Sequence, residues 1–181
     1  EKLTAEIQKI AGYTLRPDQE HLVSLALSAQ RGVIKAPTGS GKTVIMGHIA
    51  KSLPGKKLFL CHSVSLVTQT YEEFQKMSLN PSLLYGKEKN LDGDVVISTI
   101  QTISRVDKAL ICDMFDVVLV DEAHRIGGFE GTYAQVLKVL IADIRIGLTA
   151  TLPKRGTEAS LALEGLIGPV IGSLSMEKAI A

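Results

Sequence analysis

Tryptophan is absent from this 181-residue chain, and only four phenylalanines and four tyrosines are present. A surface that works by stacking successive bases on aromatic rings is therefore not expected. Charge of one sign is missing too: 20 Lys and Arg face 19 Asp and Glu, for a net charge of +1. A polyanion would have to be held by local contacts rather than by a global positive field. The two cysteines, Cys61 and Cys112, sit in apolar surroundings without metal-ligand spacing. Reduced, buried thiols are expected, not a disulfide or a zinc site. No apolar run approaches the roughly 20 residues that a membrane span needs, and no cleavable signal leads the chain. The first residue is Glu1 rather than an initiator Met. These features suggest a fragment from a cytoplasmic protein, or a nuclear one in a eukaryote.

What is present is a phosphate-binding loop. An apolar run, Val33-Ile34-Lys35, leads into Ala36-Pro37-Thr38-Gly39-Ser40-Gly41-Lys42-Thr43, and Val44 to Ala50 continues as an apolar-rich helix. Gly39 and Gly41 let the backbone curl so that consecutive N–H groups point inward, and the helix adds its positive end. Pro37, Thr38, Gly39, Ser40 and Gly41 would line a triphosphate. Lys42 can reach its β and γ phosphates, and the Thr43 hydroxyl suits the Mg²⁺ that accompanies them. Ala36 stands where the strict pattern has glycine. The flanking strand and helix supply the context that the bare pattern lacks.

Short apolar strand candidates recur at Val33 to Lys35, Lys57 to Cys61, Val95 to Ser98, Val117 to Val120 and Ile144 to Leu148. Between them, Ser65 to Met77, Thr99 to Ile111 and Tyr133 to Ile141 space apolar residues three or four apart, as helices with one sticky face do. Helices are also expected before the first core strand, with Pro17 in the first turn of one over Pro17 to Ala29, and a helix-like segment covers Glu158 to Ile167. Alternating strand and helix predict an α/β domain, a mostly parallel sheet with helices on both faces. Ligands in such sheets sit at the carboxyl ends of the strands. The run Asp116 to Val120 ends at such a point in Asp121-Glu122-Ala123-His124. Asp121 there can hold Mg²⁺, and Glu122 can polarise an attacking water.

With these residues in hand, the chain resembles the first RecA-like domain of superfamily 2 helicases and translocases. Its motif I reads much as Ala36 to Thr43, and its motif II can read Asp121-Glu122-Ala123-His124. Ile146-Gly147-Leu148-Thr149-Ala150-Thr151 is similar to motif III, and Leu15-Arg16-Pro17-Asp18-Gln19 looks like the adenine-recognition segment. Many members of that superfamily carry Ala at the loop's first position. The resemblance implies ATP and Mg²⁺ as ligands, with Arg16 and Gln19 beside the base. The Gln19 amide offers one donor and one acceptor, which match the N6 and N7 edge of adenine.

By the same resemblance His124 links the nucleotide site to the partner domain and to motif III. Thr149 and Thr151 would couple hydrolysis to nucleic acid. Ser63 and Gln69, in a motif Ia-like stretch, and Ser98, Thr99 and Gln101, in a later one, would contact the sugar-phosphate backbone. Family members that process DNA often place a basic residue where Ser63-Val64 stand here. The phrasing around motifs II and III is closer to DNA repair, recombination and restriction motors than to RNA-splicing helicases, which sets DNA ahead of RNA. The implied layout is an N-terminal segment of helices with adenine recognition at 1–30, the ATP-binding domain at 31–168 and an exit segment at 169–181. The exit would lead to a second RecA-like domain holding an arginine finger, without which hydrolysis is slow. Two other readings stay open: an ATP-responsive nucleic-acid binding module without motor activity, and a small-molecule phosphotransferase. The latter has no need of the Asp121–His124 strand end or of Gln19.

Overall fold

The structure, a computed structural model, describes residues 5–175. Helix α1 (Pro17–Ala29) opens the regular part and is followed by β1 (Arg31–Lys35), α2 (Lys42–Ser52), β2 (Lys57–Cys61) and α3 (Val64–Lys76). Then come β3 (Pro81–Tyr85), β4 (Glu88–Lys89), β5 (Val95–Thr99), α4 (Ile100–Ile103), α5 (Lys108–Ile111) and β6 (Val117–Val120). A 3₁₀ turn at Ala123–Arg125, α6 (Thr132–Val139), β7 (Ile144–Thr149), α7 (Glu158–Leu166) and β8 (Val170–Ser173) complete the order.

The eight strands of the described residues form one sheet in the order β4-β3-β5-β2-β6-β7-β1-β8. Every pairing is parallel except β3 with β4, which close an antiparallel hairpin at one edge. Strand alternation divides the apolar side chains between two cores. Val117 and Leu119 join the one built with α1, α2 and α3, while Val118 and Val120 join the one built with α4, α6 and α7. Central strands buried on both faces explain the continuous apolar runs in β2, β5 and β6. Phe59 and Phe74 meet edge to face in the first core, with centroids 5.4 Å apart.

The structure departs from expectation at four places. No helix precedes α1 among residues 5–16, where Gly12 at φ 83° lets the chain turn back into an isolated bridge between Ile10 and Tyr13. The helix expected over Thr99 to Ile111 is two short ones, because Asp107 caps a new start by accepting from Ala109 N at 3.0 Å. Strands β3 and β8 add to the five strands that the apolar runs predict. The charged run Gly86-Lys87-Glu88-Lys89-Asn90 reads in sequence as a solvated turn, yet it includes the exposed strand β4. Among the described residues no helix is long and apolar enough to cross a membrane.

Candidate functional site

The sheet order sets β6 and β7 between β2 and β1, so the ends of these four strands share one rim. Ala36 N donates to Thr149 O at 2.9 Å, pinning the start of the glycine loop to the end of β7. Gly39 and Gly41 both stand at φ +80°, a conformation that L side chains rarely adopt. Open space lies where a Cβ on Gly39 would project, whereas one on Gly41 would come within 2.5 Å of Gln19 Nε2. Helix α2 then starts at Lys42, aiming its positive end at the loop.

Gln19 is buried, and its amide is engaged within the protein: Nε2 donates to Ser40 O at 3.0 Å, and Oε1 accepts from Arg16 N at 3.0 Å. Arg16 Nη2 reaches the same Ser40 carbonyl at 3.4 Å. The segment expected to read a base thus also braces the phosphate loop, and the Arg16-x-x-Gln19 spacing of a helix cap is the signal that could have revealed it. Ser40 is fully buried, and its hydroxyl has no partner among the described residues.

Across the rim, Lys42 Nζ lies 3.4 Å from Glu122 Oε1. Asp121 N donates to Leu60 O at 3.0 Å, and Asp121 Oδ1 accepts from Glu122 N at 2.9 Å, which fixes the Asp121 carboxylate against the strand end. Glu122 holds φ 52° and ψ 47°, a left-handed backbone that costs a non-glycine residue about 1–2 kcal/mol. Burial pushes the Asp121 carboxyl above its ordinary range, and Glu122 adds to this, while Lys42 pulls the other way. Thr43 is half-buried at the start of α2. The hydroxyl of Thr43 and the carboxylate of Asp121 are hard oxygen donors, a set that fits Mg²⁺.

His124 Nδ1 lies 2.8 Å from Thr149 Oγ1 and 3.5 Å from Glu122 Oε2. The Thr149 hydroxyl donates to Thr151 O at 2.8 Å and accepts from Thr151 N at 3.1 Å. Its proton is thereby spoken for, so Nδ1 of His124 carries one and donates. Glu122, His124, Thr149 and Thr151 form one continuous chain of contacts from the loop's cation to the end of β7.

The residues expected on nucleic acid are less uniform. Ser63 caps α3 by accepting from Leu66 N at 3.4 Å, and Gln69 is exposed on the same helix. Thr99 caps α4 by accepting from Thr102 N at 3.2 Å, and Gln101 is exposed. Ser98 is a correction: it is fully buried and its hydroxyl donates to Thr99 O at 2.8 Å, which leaves nothing at the surface for a strand to touch. His62 opens the motif Ia-like stretch that holds Ser63, whereas Tyr133, which interacts with Asp121 and Glu122, belongs to no motif in the sequence. A tyrosine at a core position asks for a hydroxyl partner, and that was the available signal.

A glycine loop between the first core strand and its helix, facing carboxylates at the tip of another strand in a mostly parallel sheet, defines a RecA-like nucleoside-triphosphate-binding domain. Residues 12–154 match the family described as "Type III restriction enzyme, res subunit", and the chain belongs to that family of helicase domains. A DNA 3'-5' translocase, XPB2, of Sulfurisphaera tokodaii is 30% identical over 165 residues, which are 91% of this chain and 36% of that protein. The chain therefore spans about a third of the length of that curated relative. The UvsW helicase of bacteriophage T4 superposes with a TM-score of 0.74 at 20% identity, over 92% of this chain and 63% of that one. The SWI2/SNF2 ATPase core of Sulfolobus solfataricus, solved in complex with dsDNA, gives 0.77 at 18% identity, over 91% of this chain and 38% of that one. At these identities the two structures establish the RecA-like fold.

Proposed function

We propose that the chain is the ATP-binding first motor domain of a DNA-dependent ATPase, a helicase or translocase of the repair, recombination or restriction kind. The observation that carries this reading is the 3.4 Å approach of Lys42 to Glu122, which sets the loop's cation and the acidic strand end on one rim. The loop amides from Pro37 to Gly41, with Lys42, hold the phosphates. Arg16 and Gln19 lie at the base end, and selection of adenine uses the amide hydrogen and lone pair of Gln19 that the loop does not take. Thr43 and Asp121 hold Mg²⁺, which when bound neutralises charge on the transferring phosphoryl group. Glu122 orients the attacking water. Displacement of Lys42 from Glu122 is felt at His124, and through the Thr149 hydroxyl at Thr151, which gives hydrolysis a route to the nucleic-acid side.

Ser63, Gln69, Thr99 and Gln101 supply contacts to a sugar-phosphate backbone, so sequence preference is weak. The relative named as a DNA translocase and the neighbour solved with dsDNA favour DNA over RNA. A second RecA-like domain of the parent protein, reached through an exit segment at 169–181, supplies an arginine finger worth on the order of 10³ to 10⁵ in rate. The test is steady-state phosphate release by the parent protein with and without DNA or RNA, alongside Lys42→Ala. DNA stimulation that Lys42→Ala abolishes is expected. Brisk turnover by the isolated 181-residue chain would overturn the two-domain part, and a parent protein indifferent to nucleic acid would overturn the motor.

A further inference from the structure

Tyr133 lies in the first turn of α6 and is 7% exposed, packed in the core that also holds Val120, Ala123 and Ile126. Its hydroxyl has no hydrogen-bond partner among the described residues, although buried tyrosine hydroxyls ordinarily find one. His62, one residue past β2, has a buried Nδ1 that is likewise unpartnered. His62 and Tyr133 each lie within electrostatic range of Asp121, and Tyr133 also of Glu122. Leu60 pairs with Val120 in register, and Asp121 N donates to Leu60 O at 3.0 Å, which places His62 beside the tip of β6. Burial above all, then the Cys61 thiol and the Asp121 and Glu122 carboxylates, push the Tyr133 hydroxyl up against the opposing pull of Arg125, so it keeps its proton and is a donor.

Two buried polar groups that bond to no atom of the described residues, near a carboxylate pair with free lone pairs, have the composition of a water site with two to four partners. We propose that Tyr133 Oη and His62 Nδ1 together hold a bridging water behind the acidic strand end, and that Tyr133 positions the Asp121–Glu122 carboxylates through it. Tyr133 is thus a positioning residue, acting through other groups. The inference rests on the reading of Asp121 and Glu122 as the acidic half of the nucleotide site.

Tyr133→Phe removes the hydroxyl while keeping the ring and its packing, so the fold is retained. Two measurements on the 181-residue chain test the role. In crystals diffracting well enough to show ordered solvent, a water within hydrogen-bond distance of both Tyr133 Oη and His62 Nδ1 is expected, and it is lost in Tyr133→Phe. In titrations with a fluorescent ADP, Tyr133→Phe should match the parent chain without magnesium but bind about five- to tenfold more weakly at saturating Mg²⁺, the weight of one ordinary hydrogen bond. A direct protein partner for Tyr133 Oη, or an unchanged magnesium dependence, overturns the proposal. If the unsubstituted chain binds no nucleotide, it is the reading of the phosphate loop that fails, and the solvent structure alone decides the role of Tyr133.

Discussion

Replacing Glu122 by Gln keeps its shape and removes its charge, and the Lys42 contact sets what should follow. At 3.4 Å, with side chains 16% and 26% exposed, the pair has a gross attraction of about 5 kcal/mol at an effective dielectric constant near 20. Desolvation and side-chain ordering reduce the net value to about 1 kcal/mol. Phosphates that take Lys42 must first displace Glu122, so that amount opposes binding in the unsubstituted chain. Glu122→Gln should therefore tighten ATP or ADP by about two- to fivefold, while turnover in the parent protein falls by on the order of 10² or more. Fluorescent-nucleotide titration reads the first effect and phosphate release the second. Because the competition is ionic, the affinity gap should shrink as salt rises. Tenfold weaker binding in Glu122→Gln, comparable to the loss in Lys42→Ala, would refute the competition.

Gly41→Ala and Gly39→Ala both place a side chain on a backbone at φ +80°, at a cost of about 1 kcal/mol each. Only the Gly41 methyl meets Gln19, so that variant should lose about 1 kcal/mol more in urea denaturation, and equal losses would contradict the brace. Asp121 is a buried acid with a raised pKa, so its charged form costs stability at neutral pH, and the cost vanishes as pH falls through the carboxylate range. Asp121→Asn should accordingly melt higher than the parent at pH 7 without nucleotide, with a margin that narrows toward low pH; a lower melting point at pH 7 would reverse the sign. Phe74→Ala should cost about 3–5 kcal/mol in the same denaturation assay, because Phe74 is fully buried against Phe59.

The parts of the fold that were legible are those whose chemistry is local. Strands β2, β5 and β6 each carry a run of three or four apolar residues, β1 and β7 carry the shorter apolar cores Val33-Ile34 and Ile146-Gly147-Leu148, and α3 and α6 have a polar face that marks their period. Strand β3 escaped notice because Pro81 starts it and Gly86 follows it, which reads as a turn, yet proline is tolerated at a strand's first residue. Strand β8 carries Gly172 and follows Gly168-Pro169, and only its pairing with β1 makes it a strand. At the site, the loop and the carboxylates could be read because strand-end motifs state their own position. The bracing of Ser40 by Gln19, and the burial of Ser98 and of the Tyr133 hydroxyl, depend on which elements meet in space.

Strand β8 lies parallel to β1, and Leu174 N donates to Lys35 O at 2.8 Å, at the residue where β1 gives way to the glycine loop. The outgoing chain therefore leaves the sheet one hydrogen bond from the phosphate cradle. Tension along that chain would load the β1–β8 ladder in shear, and its first recipient would be the backbone that shapes the loop. In mechanical terms the outer strand is a tether fastened to the loop's own footing, so a pull from beyond Ser175 and a change in what the loop holds would act on the same few backbone bonds.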